Sequence, residues 1–547
     1  MLSFSVLTLL VFSTIFALSL RALRPHRRRL RLPPGPKPLP LLGNVHQMPT
    51  KGQDWLTFSQ WSKIHGDMFY LSIFGKPLVV VDSFKIASDL LDKRSSKYSE
   101  RPTFQMAGEL MGWSKSVVLS QYGDRLKRYR KLLQSVLAGR AALRFRPLQT
   151  QEAHRFASRM AQTPENLVQH IRHNAAAVIM KIGYGYDVSS TSDRYISIAE
   201  RALSLFAAAT VPGAHLVDLM PFLRHLPSIS NSRAAKEGRE ALMEMVERPF
   251  GNVKAFVGQD SAGGQDNDSF VAASLLSGAD DDEHIQWAAA SLYAGGADTT
   301  VSAVETFFLA MALYPDIQRR AQDEINRVCG VDDHGMLHIG DKLLLQRSML
   351  SLSSEKLCRL PTLEDRASLP YTWAVYQECL RWGVVTPCQY HVARDDDEYS
   401  LDGDHKAGPS AQVSIPRGTL IVVNAWSILH NPQTYPDPFQ FDPTRYLPSS
   451  GAETQPDPRD VAFGWGRRRC PGIAVADDYV FITICTSLAT LTISNARSKT
   501  GDLIRVPRPE HEEDMWRYTT GSISHPEPFD VTVVARSNSR SLLTETN

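Results

Sequence analysis

The run FGWGRRRCPG at 463–472 sets one cysteine in an unusual environment. Cys470 follows three consecutive arginines and lies between Gly466 and Gly472, which carry no side chains. A cysteine held as a thiolate is a metal ligand, and positive charge nearby favours that form. The alternative is a structural role, because most free cysteines behave as small buried hydrophobic residues.

A second candidate is GGADTT at 295–300, inside the long apolar segment 286–313. Adjacent glycines within a helix cost about 1 kcal/mol each relative to alanine, and a threonine hydroxyl can bond to a carbonyl one turn earlier. The helix is therefore predicted to be weakened locally. A buried carboxylate beside a hydroxyl, here Asp298 and Thr299, suits proton delivery. A helix crossing that needs small residues is the alternative, although it leaves Asp298 unexplained.

Two further charged patterns have ordinary interpretations when taken alone. Glu378 and Arg381 lie three residues apart in ECLRWG, and such pairs are usually surface ion pairs worth a few tenths of a kcal/mol. The dense positive charge of YGDRLKRYRKLL at 122–133 is typical of a solvated helix face.

Taken together, and in the order in which they occur along the chain, these stretches resemble the cytochrome P450 family. The family's haem-binding signature, Phe-x-x-Gly-x-Arg-x-Cys-x-Gly, is matched by Phe463, Gly466, Arg468, Cys470 and Gly472. GGADTT resembles its oxygen-activation motif, and the helix pair of the family is matched by Glu378 and Arg381. FDPTRY supplies Arg445 as the expected third member of that group.

The resemblance implies that Cys470 is the axial thiolate ligand of the iron of haem b. It also implies that Gly466 and Gly472 let backbone N–H groups approach, and that Pro471 lies in the first turn of the following helix. The positive end of that helix would favour the anionic sulfur.

The same resemblance implies a set of partners for the haem propionates. Arg468 would pair with one propionate, with Arg130 and His391 as companions. The family normally has tryptophan four residues before Arg130, but this chain has Leu126. One propionate contact is therefore expected to be missing.

In the activity that the resemblance implies, Asp298 and Thr299 relay protons while one oxygen atom of O2 is inserted into a small apolar molecule. No nucleotide-binding or flavin-binding motif is visible. Electrons are therefore expected from a separate partner, an NADPH–cytochrome P450 reductase. The alternatives are a haem-thiolate isomerase or dehydratase that does not use O2, and a non-catalytic haem-binding protein.

The first 31 residues predict a membrane anchor. Residues 2–20 carry no charge and would reach about 28 Å as a helix, close to the hydrocarbon thickness of a bilayer. Six arginines follow within 21–31, which favours a signal anchor with the remaining chain in the cytosol. A cleaved signal peptide usually has its charge before the apolar run. We expect a single-pass protein of the endoplasmic reticulum membrane.

The rest of the chain predicts a mainly α-helical fold with a small β portion. The expected organisation is an anchor (1–20), a basic and proline-rich linker (21–44), a catalytic domain (45–536) and a tail (537–547). An atypical insertion at 331–360 is either a surface loop or a retained intron. Outside 21–31, acidic residues outnumber basic ones by four, so no nucleic-acid partner is expected. The six cysteines form no CxxC pair, which excludes an obvious zinc site and favours a reducing compartment.

The substrate is not identified by the sequence. The segments expected to line the pocket, 104–111, 206–226 and 519–524, indicate only an apolar surface. Three stretches, AGELMGW, VPGAHLVDLMPFLRHLP and HPEPF, resemble fungal microsomal members of secondary metabolism, especially the O-methylsterigmatocystin oxidoreductase-like group.

Overall fold

The computed structural model describes residues 31–49, 52–211, 213–259, 268–330, 359–401, 411–448, 453–496, 518–537 and 542, and the backbone of 336–339 and 342–345. The predicted anchor, most of the 331–360 insertion and nearly all of the predicted tail lie outside these residues. Within the insertion, the described backbone forms one antiparallel hairpin.

The described part of the chain is mainly helical, as predicted. The helices are α1 (Asp54–His65), α2 (Phe84–Ser88), α3 (Asp124–Leu137), α4 (Gly139–Leu143), α5 (Arg146–Gln162), α6 (Leu167–Tyr184), α7 (Arg194–Thr210), α8 (Leu216–Leu219), α9 (Pro227–Ser230), α10 (Arg233–Gln259), α11 (Phe270–Ser277), α12 (Asp282–Leu313), α13 (Pro315–Cys329), α14 (Pro370–Trp382), α15 (Ala425–Leu429), α16 (Arg459–Ala462) and α17 (Ile473–Thr490).

The β portion is small and lies in separate pieces. Its strands are β1 (Met68–Ile73), β2 (Lys76–Val81), β3 (Met336–Ile339), β4 (Lys342–Leu345), β5 (Cys388–Val392), β6 (Asp397–Leu401), β7 (Ala411–Ile415), β8 (Leu420–Asn424), β9 (Leu491–Asn495) and β10 (Val531–Ala535). The largest sheet has the order β1-β2-β8-β5, in which only β2 and β8 are parallel. The small β portion expected from the sequence is confirmed.

Helix α12 is the central element of the helical core. It is 32 residues long, and its side chains pack in one hydrophobic cluster with residues of α3, α5, α6, α14 and α17. The side chain of Asp281 caps its first turn by accepting from the His284 N–H. A helix this apolar on most faces is stable in water only when other elements cover it.

Helix α17 is the one described helix that is long and apolar enough to cross a membrane. Because 83% of it is buried inside the protein, it is a core helix of the fold. It lies directly after the cysteine loop, so the position of Cys470 is set by a rigid element.

The proline-rich segment before residue 45 is fixed to the sheet. The Tyr70 N–H in β1 donates to the carbonyl of Pro34 at 2.7 Å. A Cβ at Gly35 would lie 2.1 Å from the Tyr70 carbonyl oxygen, so only glycine allows this approach.

Candidate active site

The loop that carries Cys470 is held at both ends by backbone contacts. The Cys470 N–H donates to the Phe463 carbonyl at 2.8 Å, and the Gly466 N–H donates to the Asp92 carboxylate at 2.6 Å. Gly466 has a φ of +46°, and a Cβ there would lie 2.1 Å from the Leu91 carbonyl oxygen. Gly466 is therefore required by the approach of the neighbouring 89–93 segment, a packing reason that the motif does not reveal.

The thiol of Cys470 lies between opposing influences. Burial has the largest effect and raises the pKa of this thiol above its usual value, although a hydrogen bond from the Gly472 N–H and the positive charges of Arg130 and Arg469 act in the opposite direction. Arg130 is fixed beside the loop, because its Nη1 donates to the Arg469 carbonyl at 3.0 Å. The surroundings therefore hold an N–H donor and two cations that would stabilise the sulfur as a thiolate.

The expectation for Pro471 is wrong. Helix α17 begins at Ile473 with Gly472 as its N-cap residue, so Pro471 lies before the helix and not in its first turn. The helix start nevertheless follows Cys470 closely, which keeps the sulfur near the positive end of the helix dipole.

Three guanidinium groups meet beside this loop, that of Arg468 buried and those of Arg101 and Arg130 partly buried. Arg468 donates from Nε to the Ser99 carbonyl at 2.7 Å. Its pKa is lowered to about 9 by burial and by the neighbouring Arg101 and Arg130. Burial also lowers the pKa of Arg101 to about 10. In the described part of the chain, none of the three pairs with a carboxylate: each donates to backbone carbonyls. Buried cations without counter-ions are costly, so an anionic group bound here would stabilise this cluster.

His391 lies next to this cluster but is uncharged. Burial, Arg101 and Arg468 hold its pKa well below the usual range, and its Nδ1 lies 2.8 Å from the Tyr98 carbonyl. At Leu126 the buried side chain is purely apolar. It offers no N–H donor in place of the family's tryptophan.

Arg101 is a functional candidate that the sequence analysis missed. It lies 289 positions from Tyr390, whose carbonyl accepts from its Nη1. No short-range spacing links Arg101 to the cysteine motif, so only its place beside Arg468 identifies it.

Helix α12 is continuous through GGADTT, but its side chains are less buried at the predicted place. Residues 300–313 are all buried, whereas 294–299 are not, and a Cβ at Gly295 would meet nothing within 4 Å. The predicted back-bond is confirmed, because Thr299 Oγ1 donates to the Gly295 carbonyl at 2.7 Å. A Cβ at Gly296 would lie 2.8 Å from Ile179 on α6. One glycine therefore serves a helix crossing, and the other lies beside open space.

Helix α12 is linked to the arginine cluster through Val117. The Val117 N–H donates to Ser291 Oγ on α12 at 3.0 Å, and the Val117 carbonyl accepts from Arg468 Nη1 at 3.4 Å. The arginine cluster is therefore connected to the central helix one turn before Gly295.

Asp298 has a partner that the sequence analysis did not predict. His525 Nε2 lies 3.2 Å from Asp298 Oδ1, and its Nδ1 lies 2.9 Å from Glu305 Oε2. Burial lowers the pKa of His525, but the hydrogen bonds to Asp298 and Glu305 outweigh burial and raise it to about 9. The imidazole is therefore charged at neutral pH.

The Glu378–Arg381 pair is not on the surface, so the interpretation from spacing alone is wrong. Both side chains are fully buried, with N···O distances of 2.8 Å. Arg445 reaches the same carboxylate at 3.4 Å, and Arg381 also donates to the Pro438 carbonyl at 2.7 Å. The three-residue group implied by the resemblance is confirmed as a contact. It fixes the end of α14 to the segment 436–446.

The three segments expected to line a pocket contact one another. Arg224 Nη1 donates to Gln105 Oε1 at 3.0 Å, and the Met106 N–H donates to the Asp218 carboxylate at 3.1 Å. Thr210 Oγ1 lies 3.5 Å from Ser522 Oγ. The segments 104–111, 206–226 and 519–524 therefore form one continuous region.

These features fit a haem. A thiol with N–H and cationic support, buried guanidinium groups without counter-ions, and a central helix with an open position match the thiolate ligand, propionates and flat ring of that cofactor.

Comparison with known proteins agrees with this chemistry. A sequence model of the family described as "Cytochrome P450" matches residues 33–502. The chain is 38% identical to "Cytochrome P450 monooxygenase 208" of Postia placenta over 516 residues, which is 94% of this chain and 92% of that protein. It is 37% identical to "Cytochrome P450 monooxygenase claR" of Ampulloclitocybe clavipes, covering 94% and 88% of the two chains. It is 35% identical to "Cytochrome P450 monooxygenase CLM2" of Gibberella zeae, covering 97% and 93%.

Members of this family carry haem through a cysteine thiolate and receive electrons from a redox partner. The family match over most of the chain, the similarity to fungal monooxygenases and the site geometry lead to one conclusion: the chain belongs to the cytochrome P450 family of haem-thiolate monooxygenases.

Proposed function

We propose that this protein oxidises a small apolar molecule of fungal secondary metabolism, with Cys470 as the thiolate ligand of haem b. Bound there, the haem would supply the activation of O2 and the insertion of one oxygen atom. Two features together carry the proposal. One is a thiol next to the Gly472 N–H and Arg130. The other is the less buried part of the central helix that contains Asp298 and Thr299.

The arginine cluster is proposed to hold the two propionates. The cluster consists of buried Arg468 and partly buried Arg130 and Arg101, which donate to backbone carbonyls and have no carboxylate partner in the described residues. Neutral His391 can add one hydrogen bond. We propose that the loop around the sulfur is shaped by Phe463, Gly466 and Gly472. These residues would not contact the propionates.

Asp298 and Thr299 are proposed to deliver protons. The Thr299 hydroxyl bonds to the Gly295 carbonyl, so its O–H group is held at the open side of the helix. Asp298 is only partly buried and precedes it directly. A hydroxyl next to a carboxylate can pass a proton without either group leaving the helix. This pair favours oxygen insertion over an isomerase or dehydratase activity.

The electron donor is proposed to be NADPH–cytochrome P450 reductase. Exposed cations lie near the cysteine loop, because Lys127 of α3 and Arg467 of the loop itself both lie over the Tyr122 ring, at 5.9 and 4.9 Å from its centroid. Such a surface attracts an acidic partner at a rate that falls with ionic strength. Arg467 lies three residues before Cys470, so a partner bound here would be close to the iron ligand.

The chain is proposed to be organised as an anchor, a linker, a catalytic domain with the 331–360 insertion, and a tail. The anchor would place the protein on the cytosolic face of the endoplasmic reticulum membrane. The family match that begins at residue 33 supports a domain boundary in the linker. Transcript reads that span the whole insertion would support a loop, whereas reads that omit it would support a retained intron.

The test of the monooxygenase mechanism is Thr299→Ala. Because this change removes the hydroxyl but no haem contact, the variant should keep the thiolate spectrum while NADPH-derived electrons are diverted to hydrogen peroxide. The measurement is product formed per NADPH consumed, with reductase and substrate supplied. We expect this ratio to fall at least several-fold.

A matched control is Thr300→Ala, which removes the neighbouring hydroxyl on the buried side of the helix. It should change the ratio much less. Undiminished coupling in Thr299→Ala would contradict the assigned role, and wild-type product formed without O2 or reductant would favour the isomerase.

A further inference from the structure

The loop 518–526 near the C-terminus docks along one stripe of the central helix. Its contacts fall on positions 298, 302, 305 and 306 of α12, which share a helix face. Ser302 Oγ donates to the Ser524 carbonyl at 2.5 Å, and Thr306 Oγ1 lies 3.2 Å from the Tyr518 hydroxyl. Bridge pairing of Tyr518 with Pro526 closes the loop. Its geometry is therefore fixed on both sides.

His525 is the only residue of this loop that contacts carboxylates of α12 among the described residues. It lies between Asp298 and Glu305, which are two turns apart on that helix, and uses one ring nitrogen for each. Its side chain is 18% exposed and that of Glu305 is 7% exposed. The imidazole is therefore oriented by a buried acid on one side and points its Nε2 at Asp298 on the other.

We propose that His525 is the proton donor to Asp298, with Glu305 as the residue that orients its ring. The inference rests on the proposed role of Asp298 in proton delivery. In the step, the Nε2–H bond of the imidazolium breaks and an O–H bond forms at Asp298 Oδ1. The neutral imidazole keeps its Nδ1–H on Glu305, and water reaching its exposed edge restores the lost proton.

The charge state of His525 supplies the proton that this step needs. Asp298 and Glu305 together raise the pKa of His525 to about 9 despite burial. Two other titratable groups lie close by, Tyr518 on the same loop and Cys379 on α14. Burial holds the pKa of both well above the usual range. His525 is thus the group at this site that changes charge between pH 7 and 10.

The test is the pH profile of coupling in the holoenzyme, measured as product per NADPH. In the wild type the ratio should fall as the pH rises through about 9, where His525 loses its proton. His525→Gln keeps an N–H donor but cannot titrate, so its ratio should be several-fold lower and independent of pH. Glu305→Gln should move the midpoint down by about one pH unit, since one stabilising charge is removed.

The control for loop docking is Ser302→Ala. It removes a contact between the same loop and the same helix face but leaves both carboxylates in place. This variant should keep the wild-type midpoint. If Ser302→Ala moved the midpoint as far as Glu305→Gln does, the loop would act only as a structural support and the proposal would be overturned.

A second measurement does not depend on activity. The folded pKa of His525 lies above its usual value. Its contribution to the free energy of unfolding is therefore complete below about pH 6.5 and is lost as the pH rises through about 9. The unfolding temperature of the wild type, followed by circular dichroism, should therefore decline over this range. His525→Gln should lack that decline.

The two proposals fail in different ways. Wild-type enzyme that forms no product with O2 and NADPH would refute the oxygen insertion, while the unfolding profiles would still test the His525 charge. A His525→Gln enzyme with the wild-type midpoint in both measurements would refute the proton donor alone. If that variant does not fold, the midpoint of Glu305→Gln decides: no shift overturns the proposal.

Discussion

At the scale of single residues, Cys470 determines whether the site has haem-thiolate chemistry. We expect Cys470→Ala to fold, because the loop is held by the backbone contacts of Phe463 and Gly466 and not by the thiol. The variant should lose the thiolate-type spectrum of the reduced carbon-monoxide complex. The measurement is the absorption spectrum of the reduced, carbon-monoxide-treated protein, and a wild-type spectrum would refute the ligand assignment.

The buried arginines give a second residue-scale prediction. Arg101→Leu should lower haem retention, because a charge-assisted hydrogen bond contributes about 1.5–3 kcal/mol. We expect haem to transfer to apomyoglobin at least tenfold faster than from the wild type.

Arg467→Leu is the matched control for Arg101→Leu. Arg467 is an exposed arginine of the cysteine loop whose contact is the Tyr122 side chain. Equal haem loss from both variants would mean that net positive charge, and not the buried cluster, holds the cofactor.

What could be predicted from the sequence at this scale depends on separation along the chain. The contacts of Cys470 with Phe463 and Gly472 lie within one short run, so the motif contains them. Arg101 and His525 reach their partners across 289 and 220 positions. No spacing rule connects such residues, and only the fold brings them together.

At the scale of elements, the Glu378 group joins α14 to the segment 436–446 that precedes the cysteine loop. The i, i+3 spacing of Glu378 and Arg381 predicted a surface pair, but spacing does not show whether a helix is buried. In the structure nearly all of α14 is buried, so it has no exposed face for such a pair. A buried pair contributes specificity only when every member is satisfied. Here Arg381 also donates to the Pro438 and Gln440 carbonyls.

We predict that Glu378→Gln destabilises the fold by about 3–5 kcal/mol, since it leaves two buried guanidinium groups without their counter-ion. The measurement is denaturant unfolding of the holoenzyme. The control is Asp316→Asn, which breaks an exposed pair of the same i, i+3 spacing with Arg319 and should cost less than about 1 kcal/mol. Similar costs for both changes would contradict the structural role of the buried group.

Helix α12 shows how one element serves both packing and chemistry. Its long apolar pattern predicted a buried helix, and its glycines predicted a weak point. The sequence could not show that Gly296 accommodates Ile179 while Gly295 faces open space. The difference is one of helix face, which depends on where α6 crosses.

At the scale of the whole molecule, three segments that are distant in sequence form one apolar surface. We define it by Leu41, Leu42, Phe74, Leu216 and Phe222, all exposed. The Phe74 N–H donates to the Leu42 carbonyl at 3.2 Å, and Lys76 reaches the Asp218 carbonyl at 3.4 Å. These contacts place the segments side by side. An exposed apolar surface of this kind is typical of a membrane contact.

This surface leads to a prediction about membrane binding that is separate from the anchor. Deleting residues 1–31 should leave part of the protein on membranes, because the apolar surface still inserts. Adding Leu216→Asp and Phe222→Asp should release the rest, since each buried side chain contributes about 2 kcal/mol, or a factor of about thirty in partitioning. The measurement is flotation of the truncated proteins with liposomes. Leu276→Asp, at a comparably exposed leucine of α11 outside this surface, is the control. Equal release by the control would show that added charge alone prevents binding, and full solubility after truncation would show that the anchor is the sole contact.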